Sequence, residues 1–146
     1  MDNFFKIGHA YLLIGLITLG LASCKVDRVL PSAESVKDIS GSWKVIKASR
    51  NGTDLIPLID YSQFRVKFDA KGAYTLVNPL PFVASKDGKY AFDDPNYPFK
   101  ITFTANGGTP VSTAFNYPVS GGARQLTLTF SPGCTLNNYV YTLVKE

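Results

Sequence analysis

From Ile39 to the C-terminus the chain alternates apolar and polar residues with a period of two, and no other feature narrows its fold so far. Phe64, Val66 and Phe68 alternate with Gln63, Arg65 and Lys67; Phe99, Ile101 and Phe103 with Lys100, Thr102 and Thr104. Leu126, Leu128 and Phe130 alternate with Gln125, Thr127 and Thr129, and Tyr139, Tyr141 and Leu143 with Val140, Thr142 and Val144. Such runs are strands with one buried face. Turn signals stand between them: Asn51-Gly52, Asp69-Ala70-Lys71-Gly72, Lys86-Asp87-Gly88-Lys89, Asn106-Gly107-Gly108, Gly121-Gly122 and Ser131-Pro132-Gly133. The runs place about eight strands near 41–49, 63–69, 73–78, 82–92 (with an interruption allowed for), 98–105, 111–117, 124–131 and 138–145.

No helical period of useful length separates any two of these runs, which argues against a crossover parallel sheet and for an antiparallel meander. The expected fold class is therefore all-β, an antiparallel up-and-down barrel, because closure removes the exposed edges of a long meander. A two-sheet β-sandwich is the alternative. The inward set expected from parity includes Trp43, Phe64, Phe68, Tyr74, Phe92, Phe99, Phe103, Phe115, Phe130, Tyr139 and Tyr141. The first strand stays ambiguous, since Trp43 and Val45 lie on one parity and Ile46 and Ala48 on the other.

Ahead of the strands lies a different kind of signal. Lys6 precedes a largely apolar run from Ile7 to Leu21, fifteen residues long and broken by His9, which is short for a membrane span and of the order of a signal-peptide apolar region. Leu21-Ala22-Ser23-Cys24 follows, a large aliphatic residue and two small ones directly before cysteine. This reads as a bacterial lipoprotein cleavage box, with residues 1–23 a signal peptide and Cys24 the lipidated residue. Several long acyl chains such as palmitate, at ~0.8 kcal/mol per buried methylene, make a durable membrane anchor. Lys25 stands where an acidic residue would favour inner-membrane retention, so the expected location is the cell envelope, as an outer-membrane lipoprotein facing the periplasm or the surface.

Residues 24–38 carry few large apolar side chains and include Pro31, and read as a tether; Ser32 to Asp38 is expected to form one short helical turn capped by Ser32. The barrel domain is expected over 39–146. Cleavage would remove His9, the one histidine, and with it histidine-based nucleophilic and metal chemistry. The net charge of +4 is a matter of solubility more than of ligand. The cations are scattered among apolar residues and present no nucleic-acid footprint. Neither a catalytic constellation, a metal site nor a cofactor is expected, and the chain does not read as an enzyme.

Ile39-Ser40-Gly41-Ser42-Trp43-Lys44-Val45, at the start of the first strand, resembles the Gly-x-Trp opening of lipocalins. Gly72-Ala73-Tyr74-Thr75-Leu76, Leu80-Pro81-Phe82, Asp93-Asp94-Pro95-Asn96-Tyr97-Pro98-Phe99, Ser131-Pro132-Gly133-Cys134 and the closing Tyr139-Val140-Tyr141-Thr142-Leu143 extend the likeness. Through these the stretch from Gly41 onward is similar to a family of bacterial lipoproteins with a lipocalin-like domain of unknown function. The resemblance implies a barrel with Trp43 plugging one end and an envelope location. It supplies no substrate and no catalytic residue. The disulfide brace usual in lipocalins is missing, since Cys24 is committed to lipid and leaves Cys134 alone.

The candidate ligand-binding residues are the aromatic positions of the interior: Trp43, Tyr74, Phe92, Phe103, Phe115 and Tyr141. Either they line a hollow for an apolar small molecule, or they fill the barrel and leave it an envelope protein that contacts others through its loops and outer wall. Asp93-Asp94-Pro95-Asn96 offers three oxygen-bearing side chains but not the 6–8 ligands calcium wants, and reads as a turn. Loop residues Pro79 to Phe82, Asn96 to Pro98 and Tyr117-Pro118 are expected to close the barrel mouth, with an exposed partner-binding rim as the alternative. Cys134, without a cation beside it in sequence, reads as a structural thiol.

Overall fold

The computed structural model describes residues 34–146. The expected signal peptide, Cys24 and most of the tether lie outside the described residues. Ten strands follow in chain order: β1 (Gly41–Arg50), β2 (Thr53–Asp54), β3 (Arg65–Phe68), β4 (Ala73–Val77), β5 (Gly88–Phe92), β6 (Lys100–Ala105), β7 (Pro110–Asn116), β8 (Val119–Ser120), β9 (Ala123–Phe130) and β10 (Tyr139–Lys145). Every pairing is antiparallel, and the order β10-β1-β3-β4-β5-β6-β7-β9 is closed by pairing of β9 with β10. The fold is thus a closed eight-stranded barrel rather than a sandwich. The two-residue strands β2 and β8 lie off the barrel wall, hairpin arms on β1 and β9.

The walls follow the alternation. Val66, Phe68, Ile101, Phe103, Leu126, Leu128, Phe130, Tyr141 and Leu143 are buried, while Thr102 and Ser112 face each other outside with hydroxyls 2.7 Å apart. A bulge resolves the ambiguous first strand. Val45 pairs with Leu143 and Lys47 with Thr142, so Ile46 is the extra residue. One added residue flips the parity. Trp43 and Val45 point inward before it, Ala48 points inward after it, and Ile46 is left outside. The Asn51-Gly52 turn joins β1 to β2 with positive φ at both residues, 51° and 81°, as a two-residue hairpin turn of the right twist requires.

Three expectations are corrected. The expected helical turn over Ser32–Asp38 is not formed in the residues described, and no helix occurs among them. Instead the Lys37 N–H donates to the Pro95 carbonyl at 2.8 Å, and the Asn96 amide donates to the Glu34 carbonyl at 2.9 Å. Backbone groups a helical turn would use are taken by the 93–97 loop. The expected strand over 82–92 begins only at Gly88, because the residues before it leave the wall and enter the barrel. Phe99 is not inward but 73% exposed. The Asp93 carboxylate accepts the N–H groups of both Phe99 and Lys100 at 3.0 Å, so the wall starts at Lys100 and parity no longer governs the residue before it.

The two ends of the barrel are built differently. At the entry end, where residues 34–38 join, lie the start of β1, the 69–72 turn, the 93–99 loop and the β8 hairpin. At the opposite, plug end lie the Asn51-Gly52 turn and the segments 55–64, 78–87, 106–109 and 131–138.

Candidate functional site

The interior is built from rings. Trp43, Tyr74, Phe103, Phe115 and Tyr141 are exposed by no more than 2%, and Phe92 is half-buried. Tyr74 lies edge-on to Phe103 at 5.1 Å between centroids, Phe103 to Phe82 at 5.6 Å, Phe82 to Phe130 at 5.6 Å and Phe130 to Tyr141 at 5.0 Å. At the entry end Trp43 meets Tyr117 at 6.2 Å, Tyr117 meets Phe115 at 6.0 Å and Phe115 meets Phe92 at 4.9 Å. Tyr90 and Phe68 join the two strings, Tyr90 to Phe92 at 5.9 Å, Tyr90 to Phe68 at 4.9 Å and Phe68 to Phe103 at 6.2 Å. All six candidate residues therefore belong to one connected ring system, in the offset and edge-on geometries that aromatic quadrupoles favour.

Two members of this core come from loops and were not expected as centrepieces. Phe82, from the 78–87 segment, is buried in the plug end and also touches Phe64 at 5.6 Å and Tyr141 at 6.4 Å. Tyr61 is buried beside it, edge-on to Tyr141 at 5.4 Å. The signal was present in the sequence as large apolar residues in segments rich in turn formers. Of the loop residues expected to close the barrel, Phe82 does so and Tyr117 half-covers Trp43, whereas Tyr97 is exposed.

Polar groups inside are matched to one another. The Tyr141 hydroxyl donates to the Pro81 carbonyl at 2.9 Å and lies 3.1 Å from the Tyr61 hydroxyl. Tyr74 donates to the Lys86 carbonyl at 2.8 Å, and Trp43 Nε1 to the Ile39 carbonyl at 2.7 Å. Burial pushes the Tyr141, Tyr61 and Tyr74 hydroxyls above the usual phenol range, so they keep their protons and serve as donors. Among the described residues, every buried side-chain nitrogen and oxygen has a hydrogen-bond partner. No polar side chain of the described core is left waiting for a ligand.

Among the described residues, open space lies on the outer wall and at the plug end. A groove of about 500 Å³ runs over β1 and β10, lined by Ile46, Ile56 and Val140 together with Lys47, Ser49, Asp54 and Thr142. A second, of about 300 Å³, adjoins it through Ile46 and Ile56 and reaches Lys44, Arg65 and Asp60. Both exist for local reasons. The bulge turns Ile46 out, and the turn after β2 is seated on β1 by the Leu55 N–H to Ala48 carbonyl bond at 2.8 Å, which holds Ile56 alongside. Two further hollows, of about 310 and 220 Å³, flank the plug segment at Val83 and Ser85, the first reaching Phe82 and Phe130 and the second Phe103.

The remaining candidates resolve simply. Asp93 and Asp94 spend their carboxylates on backbone N–H groups of their own loop, as the turn reading requires, and those bonds hold the Asp93 carboxyl below the usual range. Cys134 is exposed in the 131–138 loop and packs into no core, which corrects its reading as a structural thiol.

These features define a class: a closed antiparallel barrel whose interior is occupied by its own aromatic side chains and whose grooves lie outside. The chain belongs to the family described as a domain of unknown function (DUF5004), whose model matches residues 22–144. No curated protein and no solved structure matches it significantly.

Proposed function

We propose that the protein is a lipid-anchored, non-catalytic module of the bacterial envelope that binds a partner protein along the outer groove at Ile46 and Ile56, with the barrel as a rigid support. The observation that carries this reading is the filled interior. A small-molecule pocket of about 300 Å³ or more inside the barrel would need the volume that Trp43, Tyr74, Phe82, Phe103 and Tyr141 now occupy. The outer groove has that volume, exposed aliphatic walls and both signs of charge at its margin. Anchoring rests on the leader and on Cys24.

The test takes the mature protein from the membranes of its own host. Native mass spectrometry is expected to give the lipidated chain with no further small molecule, and a photo-crosslinker at Ile56 to capture a protein that Ile46→Asp no longer captures. An apolar compound retained in the folded chain, or capture indifferent to Ile46→Asp, would overturn the groove reading in favour of an interior ligand.

A further inference from the structure

The entry end carries an apolar surface that the partner groove does not explain. Val36 is 66% exposed, Tyr97 59%, Phe99 73% and Val119 58%. Among the described residues, Tyr97 and Phe99 are the two exposed large apolar residues with aromatic rings, and both stand here. The four come from three segments that the structure ties together. Bonds from Lys37 to Pro95 and from Asn96 to Glu34 fix Val36 against the Tyr97 and Phe99 loop. The Tyr117 hydroxyl donates to the Asp38 carbonyl at 3.2 Å, which brings in the β8 hairpin bearing Val119. Arg124, the register partner of Val119, lies over the Tyr117 ring at 5.1 Å.

The same loops are stiff, and their stiffness keeps the rings out. Asp93 and Asp94 together accept four backbone N–H bonds within residues 96–100. A loop so fully bonded does not fold its rings back onto the wall. Exposed aromatic and aliphatic groups held on a rigid tip, with Lys37, Lys100 and Arg124 near them, have the composition of a surface that sits at the boundary between lipid headgroups and acyl chains.

What selects a bilayer from the possible occupants is where the chain leaves the barrel. The described structure begins at Glu34, at this end, and nine residues separate it from Cys24. By covalent geometry that span reaches at most about 35 Å. A lipid on Cys24 therefore keeps this end within about 35 Å of the membrane surface. At such a separation even weak affinity for lipid becomes an intramolecular equilibrium and is largely realised.

We infer that Val36, Tyr97, Phe99 and Val119 form a membrane-docking tip that sets the barrel on the phospholipid surface with its plug end away from it. The inference rests on the anchoring part of the proposed function and adds an orientation to it. Acidic side chains at this end, Glu34, Asp38, Asp69, Asp93 and Asp94, offset the cations there, so docking runs on apolar contact and is expected to depend weakly on the fraction of anionic lipid.

Cys134 provides an internal control, being an exposed native thiol at the plug end. The full lipidated protein is reconstituted in phosphatidylethanolamine and phosphatidylglycerol vesicles. An environment-sensitive fluorophore is placed on Cys134 in one sample and on Val119→Cys, with Cys134→Ser, in the other. Nitroxide-labelled lipid is expected to quench the label at 119 and leave that at 134 unquenched. The double substitution Tyr97→Ser with Phe99→Ser should lower quenching at 119 to the level of 134 while the protein stays with the vesicles. Equal quenching at the two sites, or a label at 119 that remains in water while the protein is membrane-bound, would overturn the docking tip and leave the anchor intact. Concentration-dependent association of detergent-solubilised protein that buries the label at 119 would assign the tip to a second copy. A protein that Cys24→Ala does not release from host membranes overturns the anchor, and the orientation with it.

Discussion

The seam between β1 and β10 and the seam between β4 and β5, three strand steps apart around the barrel, are held by different means. The first is a ladder of seven residue pairs, from Trp43 opposite Lys145 to Arg50 opposite Tyr139, with one bulge. The second has two, Ala73 opposite Lys89 and Tyr74 opposite Gly88. Where its ladder stops, side chains take over. Asp87 accepts the Leu76 N–H at 2.8 Å, Tyr74 holds the Lys86 carbonyl, and Phe82, in the loop that joins β4 to β5, packs into the core. No backbone-to-backbone hydrogen bond outside the strand ladders involves Pro79 to Ser85, and the hydroxyl of Tyr141 is what ties Pro81 down. A barrel can thus be closed by backbone on one side and by an inserted ring on the other. The cost is that the second side depends on a few side chains.

The comparison is broken most forcefully by removing one ring from each side. Trp43→Ala, in the long ladder, takes out a fully buried indole and leaves the Ile39 carbonyl without its donor. A loss of about 3–5 kcal/mol is expected, with a single cooperative denaturant transition moved to lower midpoint, because the ladder around it has no smaller unit to lose. Phe82→Ala should cost about 3 kcal/mol, near the low end for such a truncation because a loop collapses into the vacated space more readily than a strand does. Its signature should be local. Amide exchange of Thr75 and Leu76 is expected to accelerate well before that of Ala48 or Tyr141. Uniform acceleration across both seams would show that Phe82 supports the whole core and that the second seam is not separately held.

Gly88→Ala sharpens the same contrast at smaller amplitude. A Cβ at Gly88 would stand 2.8 Å from the Ala105 Cα and closer still to the Thr104 carbonyl, both backbone atoms of β6. Main chain cannot swing aside as a flexible side chain does, so β5 must shift from β6 or from β4. With two pairs on one side and five on the other, β4 is the side expected to give. The expected loss is about 1–3 kcal/mol by denaturant unfolding, accompanied by faster exchange in β4. Intact β4 exchange with disturbed β6 would reverse the ranking of the two seams.

How far the amino-acid sequence discloses this barrel depends on whether a residue's position is set by its neighbours in the chain or by distant ones. Alternation along β3, β6, β9 and β10 is local, and it places those strands and their inward side chains, Phe103 and Tyr141 of the candidate residues among them. The bulge at Ile46 is invisible because apolar residues stand on both parities, and the register with β10 alone decides between them. Phe82 looks like part of a strand because period two says nothing about whether a partner is present, and β4 pairs with β5 too briefly to hold it in the wall. Phe99 fails for the reverse reason, since parity was carried past the point where Asp93 ends the strand. The outer groove joins the bulge to a turn that folds back over β1, two features that only the closed structure brings together.

The gentlest test concerns what the long seam gains beyond its ladder. Glu146, at the end of β10, receives Arg65 Nε at 2.8 Å and the Ser42 hydroxyl at 3.3 Å, and Lys44 Nζ lies 3.8 Å away. It therefore ties the last residue of the chain to both β1 and β3. The Arg65 hydrogen bond, with the positive charges of Arg65 and Lys44, holds its carboxyl below the usual carboxylate range. A group whose pKa is lower in the folded state contributes stability above its unfolded pKa, and that contribution fades as pH falls through the folded value. Glu146→Gln should accordingly lower the denaturant midpoint slightly at neutral pH, and the difference from the unsubstituted protein should shrink to nothing on acidification through the carboxylate range. High salt at neutral pH should shrink it too, since the carboxylate is solvent-exposed and screened. A difference that persists unchanged in acid would mean that Glu146 acts through packing or through the Ser42 bond alone, and that the long seam gains nothing from charge.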